Sequence, residues 1–438
     1  MMIFNRYRPI YFIVFFNLLA FGLLFLRNPS KTVLFTCLIM MAMIYFVYFL
    51  LQWKKWGDLY LFLIVAMLSS IGLIMIFRLD PELGTKQIIW FAGGIILFLL
   101  SYCIFTYIKF WNKLTYFYIG LAIALFLLTL LFGSNISGAT NWIRMGKLSV
   151  QPSEYIKIIF IFFLACYYAK PDVLEVPSFS IKERDIKVPS FSIKEKNIKM
   201  RNFTIKERDI KIPNNIMLSI VSYVFLVFFV LQREWGGAVL LFLIHIVLLF
   251  VFENDWKVIL GNIALAFVGG LLGVLFVNHI QVRIDIWLNP WEDIAGKGYQ
   301  VTQSLFAIGS GDFFGRGLGL GSPRYIPEVE TDFIFSAICE EMGILGGVAV
   351  IMLYYILVYR GFKIALTVEN TFYKAIALGI TLIFAFQTFI IIGGVIKLIP
   401  LTGITLPFIS YGGSSLTTSF IALGILQGIS KDVGGDEV

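Results

Sequence analysis

Residues 58–77 read DLYLFLIVAMLSSIGLIMIF. After Asp58, nineteen residues pass without a charge before Arg78. A helix needs about 20 mostly apolar residues to cross a bilayer, and this stretch has that length. It shows no alternation of apolar and polar positions, which argues against a barrel strand and predicts a helix. Working outward, eleven further segments have the same character: 11–26, 33–52, 87–107, 115–132, 153–169, 215–232, 238–253, 257–278, 332–358, 372–397 and 413–430. Of 438 residues, 59% are hydrophobic and only 14% charged, and the mean hydropathy is +0.87. A soluble domain carries about 25% charged residues, so this chain would leave too much apolar surface facing water. A cytosolic globular enzyme, a disordered chain and a secreted disulfide scaffold are all excluded. The fold class predicted is an all-α, polytopic helical membrane protein with about twelve transmembrane helices.

The net charge of +8 fits basic residues holding loops against anionic lipid, not nucleic acid. With both termini placed in the cytoplasm, the inner segments hold 22 Lys and Arg and the outer segments 12. Half of the inner set, 11 residues, comes from the single loop 170–214. Cys37, Cys103, Cys166 and Cys339 all lie in apolar runs and read as packing residues. His245 and His279 form no metal motif, and the N-terminal apolar run reads as a retained first helix, not a leader.

Two connections are long. The inner loop contains a 12-residue tandem repeat: VPSFSIKERDIK from Val176, VPSFSIKEKNIK from Val188 and MRNFTIKERDIK from Met200. Twelve residues advance a helix by 120° net, so the copies share no helical face, and Pro177 and Pro189 would interrupt a helix. This loop reads as a duplicated basic linker at the membrane surface. The outer loop, 279–331, reads differently. It carries Asp285, Trp287, Asn289, Pro290, Trp291, Glu292 and Asp293, then Gly298, Tyr299, Gln300, Gln303 and Ser304, then a glycine run from Gly309 to Gly321. Aromatics beside an acid at a membrane face suit an amphipathic ligand such as a lipid-linked sugar. The glycine run lacks the ending of a nucleotide-binding P-loop.

Four strings occur in order: Gly138–Ile143 (GATNWI) followed by QPSE at 151–154, NPWED at 289–293 followed by Gly296, Gly298, Tyr299 and Gln300, TDFIF at 331–335 with Glu340, Glu341 and Gly343, and LPFISYGGSS at 406–415. In these strings the chain resembles the SEDS family, the RodA/FtsW/SpoVE proteins of cell elongation, division and sporulation, over roughly residues 57–431. The resemblance implies a peptidoglycan glycosyltransferase of the cytoplasmic membrane. Such an enzyme polymerises lipid II at the outer face and works with a class B penicillin-binding protein. It also implies a core of ten helices, so 1–56 are two added N-terminal helices. The core then runs through 57–169 and 215–431, on either side of the 170–214 loop, with 432–438 as a tail.

Glycosyl transfer from a diphosphate-linked donor needs a base for the attacking hydroxyl and a group to stabilise the leaving diphosphate. The resemblance makes Asp293 the catalytic base, or a ligand for an assisting divalent cation, Mg2+ or Mn2+. No tightly bound cofactor is expected. Glu154 and Lys157 lie three apart on one helix face, where ionisable groups are costly and usually functional. The resemblance places them in a central cavity, in contact with substrate. Arg283 could hold diphosphate bidentately. Asp332 could cap the next helix or meet substrate. Tyr299, Gln300, Gln303 and Ser304 follow the acid, and Ser410, Tyr411, Gly412 and Gly413 are expected to line the cavity wall.

The chain departs from the family strings in several places. The arginine of GAxRWI is Asn141, with Arg144 three residues on as a substitute. The proline after the catalytic acid is Ile294, and the residue before TDFIF is Glu330, not His. The family's QPDxGT appears as Gln232-Arg233-Glu234-Trp235-Gly236-Gly237. The alternative function is a lipid II flippase, which needs a similar cavity but gives no role to an acid in an outer loop. A scaffold that only recruits the penicillin-binding protein gives none either.

Overall fold

The computed structural model describes residues 8–27, 29–136, 139–146, 148–174 and 213–433. The repeats at 176–211 and the tail from 434 lie outside the described residues. Fourteen α-helices appear among those described. They are α1 Arg8–Arg27, α2 Lys31–Lys54, α3 Leu59–Leu79, α4 Pro81–Tyr107, α5 Thr115–Phe132, α6 Pro152–Ala169, α7 Asn214–Leu231, α8 Trp235–Phe252, α9 Trp256–Phe276, α10 Asn278–Leu288, α11 Tyr299–Ser310, α12 Ile334–Thr367, α13 Thr371–Val395 and α14 Gly413–Val433. Eleven are long and apolar enough to cross a membrane; α10, α11 and α14 are the exceptions. The protein is a polytopic, all-α membrane protein.

Short polar signals set the helix starts. Asp58, Asp80, Asp255 and Asn370 each stand as N-cap and accept the backbone N–H two residues on. Pro81 follows Asp80 at the first helical position, where its missing N–H costs nothing.

α3 forms the centre of the bundle, with nearly all of its residues buried. α9 is the opposite, its Leu260, Phe267, Leu271 and Phe276 all exposed. In a membrane such faces meet lipid, so exposure carries no hydrophobic penalty. α1 docks on α3 through Asn17, whose Nδ2 donates to Ser70 Oγ at 2.9 Å.

The twelfth expected span, α14, is less apolar for a packing reason. Ser414, Ser415, Thr417, Thr418, Gln427 and Ser430 on it are buried against protein, not lipid. Its hydroxyls return to the helix backbone, as in Thr418 Oγ1 to Ser414 O at 2.8 Å. It lies against α4, where Phe420 meets Phe91 edge-on at 5.6 Å.

The 133–151 connection folds as a small antiparallel sheet, β1 (Ser134–Ile136), β2 (Ala139–Met145) and β3 (Leu148–Val150), in the order β1-β2-β3. Outside the membrane core a connecting backbone must find its own hydrogen-bond partners. The turn from β2 runs through Gly146 at φ 64°. By alternation of the spans, this hairpin, the 277–333 segment and the 396–412 loop share one end of the bundle, the outer end in the charge-based orientation.

Candidate active site

Most of the sequence-predicted residues fall into three places. The first is the turn segment 290–298, where Asp293 is exposed. Its carboxylate accepts the Lys297 N–H at 3.0 Å, and its carbonyl accepts the N–H of Gly296 and Gly298 at 3.3 and 3.0 Å. A β-carbon at Gly296 would collide with the Asp293 carboxylate. Among the described residues no side chain donates to Asp293, so one carboxylate oxygen is free for a ligand. That donor set fits magnesium, which takes one or two carboxylates and fills its shell with water and substrate phosphate. No cluster of three His, Cys, Asp or Glu side chains able to cage a metal occurs among the described residues.

The second place is the contact between α10 and the 396–404 loop, at the same end of the bundle, its mouth. Arg283 on α10 donates to Leu401 O at 3.0 Å, and Trp287 Nε1 to Lys397 O at 3.1 Å. These bonds strap α10 to the 396–404 loop. Asp332, like Arg283, approaches Gly403. Burial first, then the neighbouring Glu328, pushes the Asp332 carboxyl up to about 7, with Arg283 acting in the opposite direction. Burial lowers the Arg283 guanidinium and the His279 imidazole, and Arg283 and Arg233 lower His279 further. Ser410 ties the segment down, since its Oγ donates to Thr331 O at 2.5 Å and accepts the Leu406 N–H at 2.9 Å. Tyr411 N–H donates to Glu330 O at 2.8 Å. Tyr411, Gly412 and Gly413 remain partly open at this mouth.

The third place is inside the bundle. Glu154 and Lys157, 6% and 4% exposed, pair at 2.8 Å. Lys157 Nζ also donates to Gln387 Oε1 at 3.3 Å, and Thr418 Oγ1 donates to Glu154 Oε2 at 3.3 Å. With Ile158 and Phe384 these four residues line a small cavity. Gln387 Nε2 continues to Thr405 O at 2.8 Å, and Thr405 Oγ1 to Ser415 Oγ at 2.7 Å. A polar track therefore joins the buried pair to the outer 400–415 segment. Gln387 was not among the expected residues. Its signal was available: an amide alone in an otherwise apolar span.

Other expected residues stand elsewhere. Arg144 is exposed on β2 opposite Ser149. Tyr299, Gln300 and Gln303 are half-buried on α11. Ser304 is buried there, with its Oγ 2.7 Å from Ser336 Oγ. The glycine run is a wrap around the start of α12. Arg316 and Gly317 donate N–H groups to Glu340 O and Glu341 O, both at 3.0 Å. The Glu341 carboxylate takes the Gly319 N–H at 2.8 Å and pairs with Arg78 at 3.0 Å, and Glu340 takes the Ser322 N–H at 2.7 Å. Gly315 and Gly343, at φ 84° and 69°, approach each other's backbone where a β-carbon would collide. These glycines serve close packing.

The comparisons with known proteins agree with this architecture. The FtsW/RodA/SpoVE family, described as a cell cycle protein family, matches residues 58–434, and the chain belongs to it. It is 34% identical over 397 residues to the peptidoglycan glycosyltransferase RodA of Mycobacterium bovis, covering 86% of this chain and 79% of that one. It is 34% identical over 400 residues to stage V sporulation protein E of Bacillus subtilis, covering 86% of this chain and 98% of that one. Among solved structures, the rod shape determining protein RodA of Thermus thermophilus shares the fold, with a TM-score of 0.58 at 23% identity over 87% of this chain and 98% of that one. A chain from a solved peptidoglycan synthase complex, described as coordinating polymerization and crosslinking, has a TM-score of 0.67 at 24% identity, covering 87% of this chain and 99% of that one. The helices α1 and α2 precede the matched region.

Proposed function

We propose that this peptidoglycan glycosyltransferase of the cytoplasmic membrane polymerises lipid II at the outer membrane face, with Asp293 as its catalytic base. The observation that carries the reading is the Asp293 carboxylate. It is exposed in the family's acid motif, oriented by one backbone N–H and otherwise free.

The base takes the proton of the acceptor sugar hydroxyl as that oxygen bonds the donor's anomeric carbon. The bond from that carbon to the diphosphate oxygen breaks, and lipid diphosphate leaves with the negative charge. Arg283, on α10 at the same end of the bundle, holds the diphosphate through its planar fork. A divalent cation bound by Asp293 would supply further charge neutralisation. Lys157 and Glu154 contact the substrate deeper in the bundle. A class B penicillin-binding protein is the proposed partner, supported by the likeness to a chain of a peptidoglycan synthase complex that couples polymerization to crosslinking.

Purified protein supplied with lipid II and Mg2+ or Mn2+ should yield glycan chains. The Asp293→Ala variant should be folded and inactive. Full polymerisation by that variant sinks the assigned base. Movement of lipid II across vesicles without polymer would favour the flippase.

A further inference from the structure

Glu234, an acid that the proposed reaction leaves unused, stands immediately before α8. Its Oε2 accepts Asn141 Nδ2 at 2.9 Å, and its Oε1 accepts Gln151 Nε2 at 3.3 Å. Asn141 belongs to β2 and is 4% exposed. Gln151 is the N-cap of α6, and its own N–H donates to Ser414 Oγ on α14 at 3.0 Å. Nearby, the Thr140 N–H donates to Gln232 O at 3.2 Å. One carboxylate therefore fastens the hairpin to the start of α8 and the start of α6. Glu154 lies three residues beyond Gln151, so the fastened turn is the one that carries the buried Glu154–Lys157 pair.

Asn141 and Gln151 are neutral amides, and among the described residues no cation comes within ion-pair distance of Glu234, although the Ser153 hydroxyl and the Lys157 charge also act on it. Burial holds its carboxyl above the usual carboxylate range, with the Asn141 bond opposing. Asn141 lies in β2 and Glu234 immediately before α8. They are 93 residues apart in sequence and touch in the fold.

We propose that Glu234 is a positioning residue which, through its bonds to Asn141 and Gln151, presents the first turn of α6, with Glu154 and Lys157, to the substrate. The inference rests on the reading of that buried pair as a substrate contact. The test is a double-mutant cycle in the full-length protein, read by kcat/KM for glycan synthesis from lipid II and, separately, by the thermal unfolding midpoint. E234D is too short to reach Asn141 and should lose at least tenfold in kcat/KM. Adding N141R, whose longer arm reaches the shortened acid, should restore kcat/KM to within threefold of the parent. N141R alone should be several-fold impaired. If E234D does not fold, E234Q keeps the length but turns an N–H2 towards an amide donor, and the same tenfold loss is expected; full activity there overturns the proposal. A double variant no better than E234D shows that the positions do not act as a pair. A restored midpoint without restored kcat/KM overturns the positioning role. A parent that makes no glycan overturns the assigned function instead, and the midpoints still decide whether the two positions are coupled.

Discussion

Arg283 and Asp332 both approach Gly403, their Nη2 and Oδ2 atoms 3.6 and 3.5 Å from the place where a β-carbon would stand. Gly403 stands there at φ 72°, in the left-handed region that L side chains rarely adopt. Among the described residues this acid and this guanidinium do not close into an ion pair.

Asp332 should be visible in the pH dependence. Its folded carboxyl titrates at about 7, above the ordinary 3.8. Below pH ~4 both folded and unfolded chains hold the proton. Between ~4 and ~7 only the folded chain does, so rising pH pulls the equilibrium towards unfolding. The unfolding midpoint of the parent should fall across that window, and Asp332→Asn should remove this part of the slope. The same variant should abolish any step near pH 7 in the kcat/KM profile. A variant with unchanged profiles would show that the group does not titrate there.

Gly296 leaves room for the Asp293 carboxylate. Gly296→Ala should push the carboxylate from its bond with the Lys297 N–H and lower glycan synthesis tenfold or more. The unfolding midpoint should move little, because the segment is exposed. Comparable activity in parent and variant would count against a fixed carboxylate.

The Glu154–Lys157 pair is buried on both sides. Lys157→Met alone strands a buried carboxylate, and losing one partner of a buried pair costs about 3–5 kcal/mol. Combining it with Glu154→Gln removes the stranded charge, so the double variant should recover a large part of the loss in thermal unfolding. Both should be inactive if the pair meets substrate.

The glycine wrap separates two kinds of glycine. Gly315→Ala forces a side chain into positive φ against the Glu341 backbone and should cost about 1–3 kcal/mol, read by unfolding. Gly309 sits in α11 with nothing within 4 Å of a β-carbon, so Gly309→Ala should gain up to about 1 kcal/mol from helix propensity. Equal effects at the two positions would refute the packing role.

Hydropathy alone located the eleven helices long and apolar enough to cross a membrane, because hydrocarbon selects for apolar length in each helix separately; the twelfth expected span, α14, falls short of that apolarity. The start of α4 at Pro81, capped by Asp80, lies six residues before the apolar segment 87–107, because hydropathy does not register a polar first turn. The acid motif at 289–293 and the buried pair at 154 and 157 were legible because each sits within a few residues of chain. The tertiary structure decided what faces what. It placed Glu234 against Asn141, Gln387 against Lys157, and the glycine run against Glu340 and Glu341 instead of a phosphate. It also made α14 polar yet central, because its neighbours are protein. Periodicity and composition report the environment of one segment. Contacts between segments distant in sequence arise only when the helices pack, and the functional geometry is built from those contacts.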